Sequence, residues 1–118
     1  MKEQITITFK GKQYTSKPLR MGVFVALQKT KAFLSDGQYQ NIWKTTTAAG
    51  DHALVMIDVE ASMNVLFPEL IKDLKPNAIS ELSIKDYNEI KKPYLKEVAP
   101  FINSFVELLN DDSSEEGK

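Results

Sequence analysis

Ile5, Ile7 and Phe9 alternate with Thr6, Thr8 and Lys10, the period-two pattern of a half-buried strand rich in β-branched residues. Lys10-Gly11 follows as a tight turn, because glycine takes the positive φ that a two-residue hairpin loop needs. That turn places Tyr14 opposite Ile7 on one face. Residues 4–9 and 12–17 are therefore predicted as a hairpin, closed by Pro18. Two strands are marginal alone and must rest on helices. From Leu19 the period changes: Val23, Leu27, Thr30 and Leu34 are spaced by three or four, with Phe24, Ala26 and Phe33 widening the stripe of a core-facing helix. Ser35-Asp36-Gly37 ends it, Gly37 serving as the C-terminal cap.

Residues 38–50 are harder to read. Three consecutive threonines and Gly50 favour a loop, while Tyr39, Ile42 and Trp43 fit one helical turn. The single Trp is expected to anchor this segment on the core. Asp51 is the expected N-cap of the next helix. Leu54, Ile57 or Asp58, Ala61 and Val65 mark its inner face, and Val55, Met56, Val59, Met63 and Leu66 make it apolar nearly all round. Such a helix is buried or covered by a partner. Pro68 interrupts it, a short turn follows to Leu74, and residues 77–82 are predicted as a connector with one helical turn. Ser83 caps the next helix, with Asp86 in its dipole-favoured first turn. Pro93 fits as the first residue of a last helix, and Pro100 inside that helix should kink it. The tail, residues 111–118, has no apolar side chain and is expected to be disordered. The expected fold is mainly α, a bundle of four to five helices with a small N-terminal β-hairpin, in a single domain spanning residues 1–110.

Projected at the helical angle, Leu95, Val98, Ala99, Ile102, Phe105, Val106 and Leu109 form one stripe of the last helix, and Tyr94, Phe101 and Leu108 a second row along its edge. Together they cover roughly half the circumference, more than a surface helix needs. A helix sandwiched within the bundle accounts for this; so does an outward face of Tyr94, Phe101, Phe105 and Leu108 that meets another copy or an apolar helix of a client.

Composition narrows the chemistry. The chain of 118 residues has no Cys and one His, which excludes disulfides, thiol nucleophiles, thiolate zinc sites and multi-histidine metal sites. No apolar run is long enough to span a bilayer, and the start of the chain lacks a secretory signal's apolar stretch; an intracellular location is expected. Asp51-His52 and Asp58 with Glu60 are the available acid–base pairings, but helix neighbours one or two apart diverge, so no catalytic residue is expected. Phosphate-binding, dinucleotide and metal motifs are missing, and no cofactor is expected. Residues 1–36 carry seven basic and two acidic side chains, a net +5, while residues 111–118 carry four acidic and one basic, a net −3. The basic third offers an alternative role as a small regulatory or nucleic-acid-binding protein through Lys10, Lys12, Lys17 and Arg20. Its lysines are scattered, however, and only one Arg is present to make bidentate contacts. Opposite charge at the two ends also suits head-to-tail contacts between copies.

The order of parts is itself informative. A hairpin I-T-I-T-F-K-G-K-Q-Y (Ile5 to Tyr14) leads into helices, then P-Y-L-K-E-V-A-P-F-I-N-S-F-V-E-L-L-N and an acidic, Ser-containing tail. Over residues 4–110 this resembles the tail assembly chaperones of long-tailed, non-contractile phages, those of lactococcal phages above all. The resemblance implies a non-enzymatic protein of the host cell cytoplasm, missing from the mature virion. It would self-associate and coat the long helical tape measure protein until the tail tube forms round it. It also implies a frameshifted longer form of the same chain; the dipeptide Gly117-Lys118 is compatible with a slippery codon pair.

Overall fold

The computed structural model describes residues 3–74 and 79–116, the last six of these by backbone alone. It is mainly helical, 72%, with a two-stranded antiparallel hairpin at its N-terminus. The expected fold class is therefore the observed one. Strands β1 (Thr6–Phe9) and β2 (Lys12–Thr15) pair in the expected register, Ile7 opposite Tyr14. Lys10 and Gly11 both take positive φ, 50° and 79°, as a turn that matches strand twist requires. Ile5, Ile7, Phe9 and Tyr14 are buried beneath the hairpin while Thr6 and Thr8 face out. Buried Ser16 closes the open end: its N–H donates to the Ile5 carbonyl at 2.8 Å, and its hydroxyl accepts from the Ile5 N–H at 3.0 Å.

Helix α1 (Met21–Leu34) ends as expected, the Gly37 N–H reaching back to the Ala32 carbonyl at 2.8 Å. Helix α2 (Tyr39–Trp43) supplies the short helical turn, and α3 (Ala48–Leu66) begins three residues before Asp51. The N-cap is Thr47, whose hydroxyl accepts from the Gly50 N–H at 3.0 Å. Asp51 instead lies in the first turn, where its charge complements the helix dipole. Gly50 is held to glycine by space, because a Cβ there would collide with the Thr45 hydroxyl.

Helix α3 is the central element. Leu54, Ile57, Val59, Ala61, Ser62, Met63 and Leu66 are all buried, as its all-round apolar sequence requires. Residue Phe67 leaves the helix because the proline after it disfavours the α conformation, and Pro68 opens α4 (Pro68–Leu74) at the position where a missing N–H costs nothing. Residues 75–78 lie outside the described residues; of the expected connector, Ile79–Glu81 forms a single 3-10 turn. Ser83 caps α5 (Ile84–Pro93) as expected, accepting from the Asp86 N–H at 3.2 Å.

Pro93 does not begin a separate helix. Helix α5 continues through a π segment (Tyr94–Val98) into α6 (Ala99–Glu116), giving one long element with Pro100 near its middle. The Ala99 N–H bonds the Tyr94 carbonyl five residues back. This wider turn is how the chain accommodates Pro100, which lacks a donor and whose ring would crowd the carbonyl four residues earlier. Helix α6 also runs beyond residue 110 to Glu116, where composition suggests disorder. No Pro or Gly lies between Phe101 and Glu116, so a helix already nucleated by its packed part extends into polar sequence at little cost.

Polar contacts lock the hairpin to the helices. Asp73 on α4 accepts from Lys12 Nζ at 2.6 Å and from the Tyr14 hydroxyl at 2.8 Å, Lys10 Nζ lies 3.3 Å from Asp86 on α5, and the Lys17 N–H bonds the Leu66 carbonyl at 2.8 Å. The hydrogen bonds from Lys12 and Tyr14 hold the Asp73 carboxyl below its ordinary range. Their contribution is complete above the unfolded-state value, about 4, and is lost as pH falls through the lower folded-state value. Asp73→Asn should thus be less stable than the parent near pH 7. In urea titrations the difference should shrink as pH drops below about 4; a difference independent of pH would place the effect elsewhere. At the start of α3, Gly50→Ala should cost about 1–2 kcal/mol through overpacking and the disturbed hydrogen bond from the Thr45 hydroxyl to the Ile42 carbonyl. Adding Thr45→Ala should recover most of that loss.

Candidate interaction surface

The long helix turns one stripe of side chains inward. Ile90, Tyr94, Val98 and Phe101 are buried, at spacings of four, four and three, which at 100° per residue keeps all four within roughly 80° of the circumference. The consequence is a correction to the expected outward row. Tyr94 is 8% and Phe101 5% exposed, both part of the main core. Phe105 is half-buried and packs on Phe24 of α1, ring centroids 5.3 Å apart. Only Leu108 is open, at 47%. Conversely Leu95, placed in the inner stripe by a uniform helical projection, is 52% exposed. The four residues do not form one surface.

Exposed apolar side chains lie elsewhere. Met21, Val25 and Phe33 point outward on α1, Trp43 on α2, Met56 on α3, Ile84 on α5 and Leu108 on α6; Phe33 is 80%, Ile84 81% and Trp43 61% exposed. Trp43 therefore does not anchor its segment on the core. Tyr39 does so instead. Its hydroxyl donates to Asp58 at 2.9 Å, Lys31 Nζ lies 3.3 Å from the same carboxylate, and the Lys31 ammonium sits 5.7 Å from the Tyr39 ring centre. One carboxylate thus joins α1, α2 and α3. Burial and the bond to Asp58 push the Tyr39 hydroxyl above its ordinary range, and burial with the nearby Asp58 charge does the same for Tyr94.

Phe33, expected to widen the core-facing stripe of α1, is instead open to solvent. It lies roughly 90° from the centre of the Val23/Leu27/Thr30/Leu34 stripe, and Phe24 lies as far on the other side. The structure covers Phe24 with Phe105 and leaves Phe33 bare, a choice set by where α6 lies, which no local pattern reveals. The outward turn of Trp43 carries no comparable signal.

The candidate acid–base residues serve other ends. Asp58 is the half-buried clasp just described, not an exposed edge residue, and Glu60 accepts from the Ser80 N–H at 2.9 Å. Asp51 and His52 are both exposed. Among the described residues, no group of three His, Cys, Asp or Glu side chains is placed to hold a metal ion, and no helix is long and apolar enough to cross a membrane. In the basic first third, Lys10, Lys12 and Lys31 each pair with an Asp, on α5, α4 and α3 respectively, which lowers the positive potential over that face.

The chain matches no protein-family model, and neither the curated proteins nor the solved structures compared with it gave a match.

Burial separates two substitutions that the sequence places in one row. Phe101→Asp puts a charge into the core and should lose several kcal/mol, enough to unfold the chain at room temperature. Leu108→Asp should change stability by about 0.5 kcal/mol or less. Thermal melts followed by circular dichroism read both, and equal losses would contradict the split.

Proposed function

We propose that this protein is a tail assembly chaperone of a long-tailed phage, one that self-associates and keeps a long helical tape measure protein soluble. The observation that carries the reading is the surplus of large apolar side chains on the outside of a folded chain, Phe33, Trp43 and Leu108 among them. Desolvating three such side chains is worth several kcal/mol at ~25 cal/mol per Å2, enough for reversible contacts that gain strength by repetition. Spread over separate helices, they suit a client presenting many weak sites better than one tight pocket. The order of hairpin, helices and acidic end supports the same family. Opposite net charge at the two ends of the chain favours contact between copies, and a frameshifted longer form would add a second kind of subunit to the same coat. The role is non-enzymatic and belongs to the host cytoplasm before the virion is complete.

Co-expression with a tape measure protein tests this. The parent chain should hold the client in the soluble fraction and co-purify with it, and light scattering should show mass well above one protomer at high concentration. The triple variant Phe33→Ser, Trp43→Ser, Leu108→Asp should keep its circular dichroism spectrum yet lose most of the recovered client. Full recovery with the folded triple variant, or a strict monomer at every concentration, would overturn the proposal.

A further inference from the structure

We propose that the outer edge of β1 is a docking site for an extended acidic segment of a partner protein, which adds to the hairpin as a third strand. In an antiparallel pair, residues alternate between those bonded to the partner strand and those whose N–H and C=O point away. Ile5 bonds Ser16 and the register runs Thr6↔Thr15, Ile7↔Tyr14, Thr8↔Gln13, so Thr6 and Thr8 direct their backbone groups to the open edge. Among the described residues, neither bonds a backbone group outside the hairpin. The edge borders a groove of about 310 Å3 lined by Thr6, Ile7 and Thr8 on one side and Lys92, Pro93, Lys96 and Glu97 on the other. That volume admits a short stretch of extended chain, and pairing at Thr6 and Thr8 sets its register, as in other strand-addition complexes.

Charge selects the occupant. Lys92 and Lys96 stand four residues apart, one in the last turn of α5 and one in the π segment, and both line the groove. Like charges at this spacing repel, and neither lysine is in an ion pair among the described residues. An acidic side chain entering the groove relieves the repulsion. Glu97 at the same wall restricts where the acid can lie and disfavours a uniformly acidic strand along the whole groove. The β1 strand of a second copy is a poor occupant, since its nearest acid, Glu3, lies three residues before Thr6 and the strand is followed by Lys10 and Lys12. This site is separate from the apolar surface above, and its test is independent of the chaperone reading.

The test titrates the isotopically labelled full chain with acetyl-Glu-Val-Thr-Val-Thr-amide and follows its backbone amide signals. Those of Thr6 and Thr8 should shift, and binding should weaken with added salt. Methylating the peptide's central backbone nitrogens, or replacing both Lys92 and Lys96 by Gln in a chain with unchanged circular dichroism, should each weaken binding by about tenfold. No shift at Thr6 and Thr8 with millimolar peptide would overturn the proposal. So would equal affinity for the methylated peptide or for one with Lys in place of Glu. Shifts at Thr6 and Thr8 that track protein concentration without peptide would assign the edge to a second copy and overturn it as well.

Discussion

The fold depends on burying α3. A helix apolar on most sides is stable only when other elements surround it, and beyond its first turn α3 leaves little more than the line of His52, Met56 and Asn64 to water. Helices α1, α2 and α4 and the 3-10 turn all pack against it. Its C-terminal carbonyl at Leu66 also receives the N–H of Lys17, fixing the end of the hairpin. The hairpin cannot stand alone, yet Ile5, Ile7, Phe9 and Tyr14 join Val59, Met63 and Leu66 in one core. Local order at the N-terminus is therefore a consequence of the central helix.

The long C-terminal element completes that core and also leaves it. Up to Phe101 it presents Ile90, Tyr94, Val98 and Phe101 inward; from Glu107 to Asn110 only Leu109 is even half-buried. The molecule is correspondingly drawn out, with extents of 50 × 34 × 21 Å and a radius of gyration of 15.0 Å, against about 13.5 Å for a compact chain of this length. Pro100 is central to this shape. Without the π turn the element would bend or break; with it, one continuous helix carries a buried half and an exposed half.

How much of this could be read from residues depends on whether the cause is local. The hairpin register follows from alternation and a Gly turn, the Ser83 cap from one side chain and its third neighbour, and the burial of α3 from composition within one helix. Each is decided within a few residues. The true start of α3 is less legible because Thr47 and Asp51 are both good caps, and the choice falls to Thr47 once Gly50 packs under the threonine hydroxyls. The inward turn of Tyr94 and Phe101 fails to register for a sharper reason. At 100° per residue Tyr94, Val98, Phe101 and Phe105 fall within roughly 60° of one another, but the apolar arc is about half the circumference wide, and the pattern alone does not say which edge of it meets the core.

The same distinction bears on surplus apolar surface. An excess of apolar residues in a sequence does not identify which ones remain outside, since Tyr94 and Phe101 were as apolar a pair as Phe33 and Trp43. Phe33 stays bare because α6 packs on the opposite side of α1, against Phe24; for Trp43 the cause is polar tethering. Tyr39 is drawn in by Asp58 and Lys31, and with it the short helix α2 is fixed in an orientation that leaves Trp43 outside. A half-buried ion pair of this kind adds little net stability by itself. Its effect is geometric, because swinging Trp43 onto the core would strip Asp58 of its phenolic donor. The bare aromatic is thus a feature the core enforces, and its cost in exposed apolar area is recovered only when something covers it.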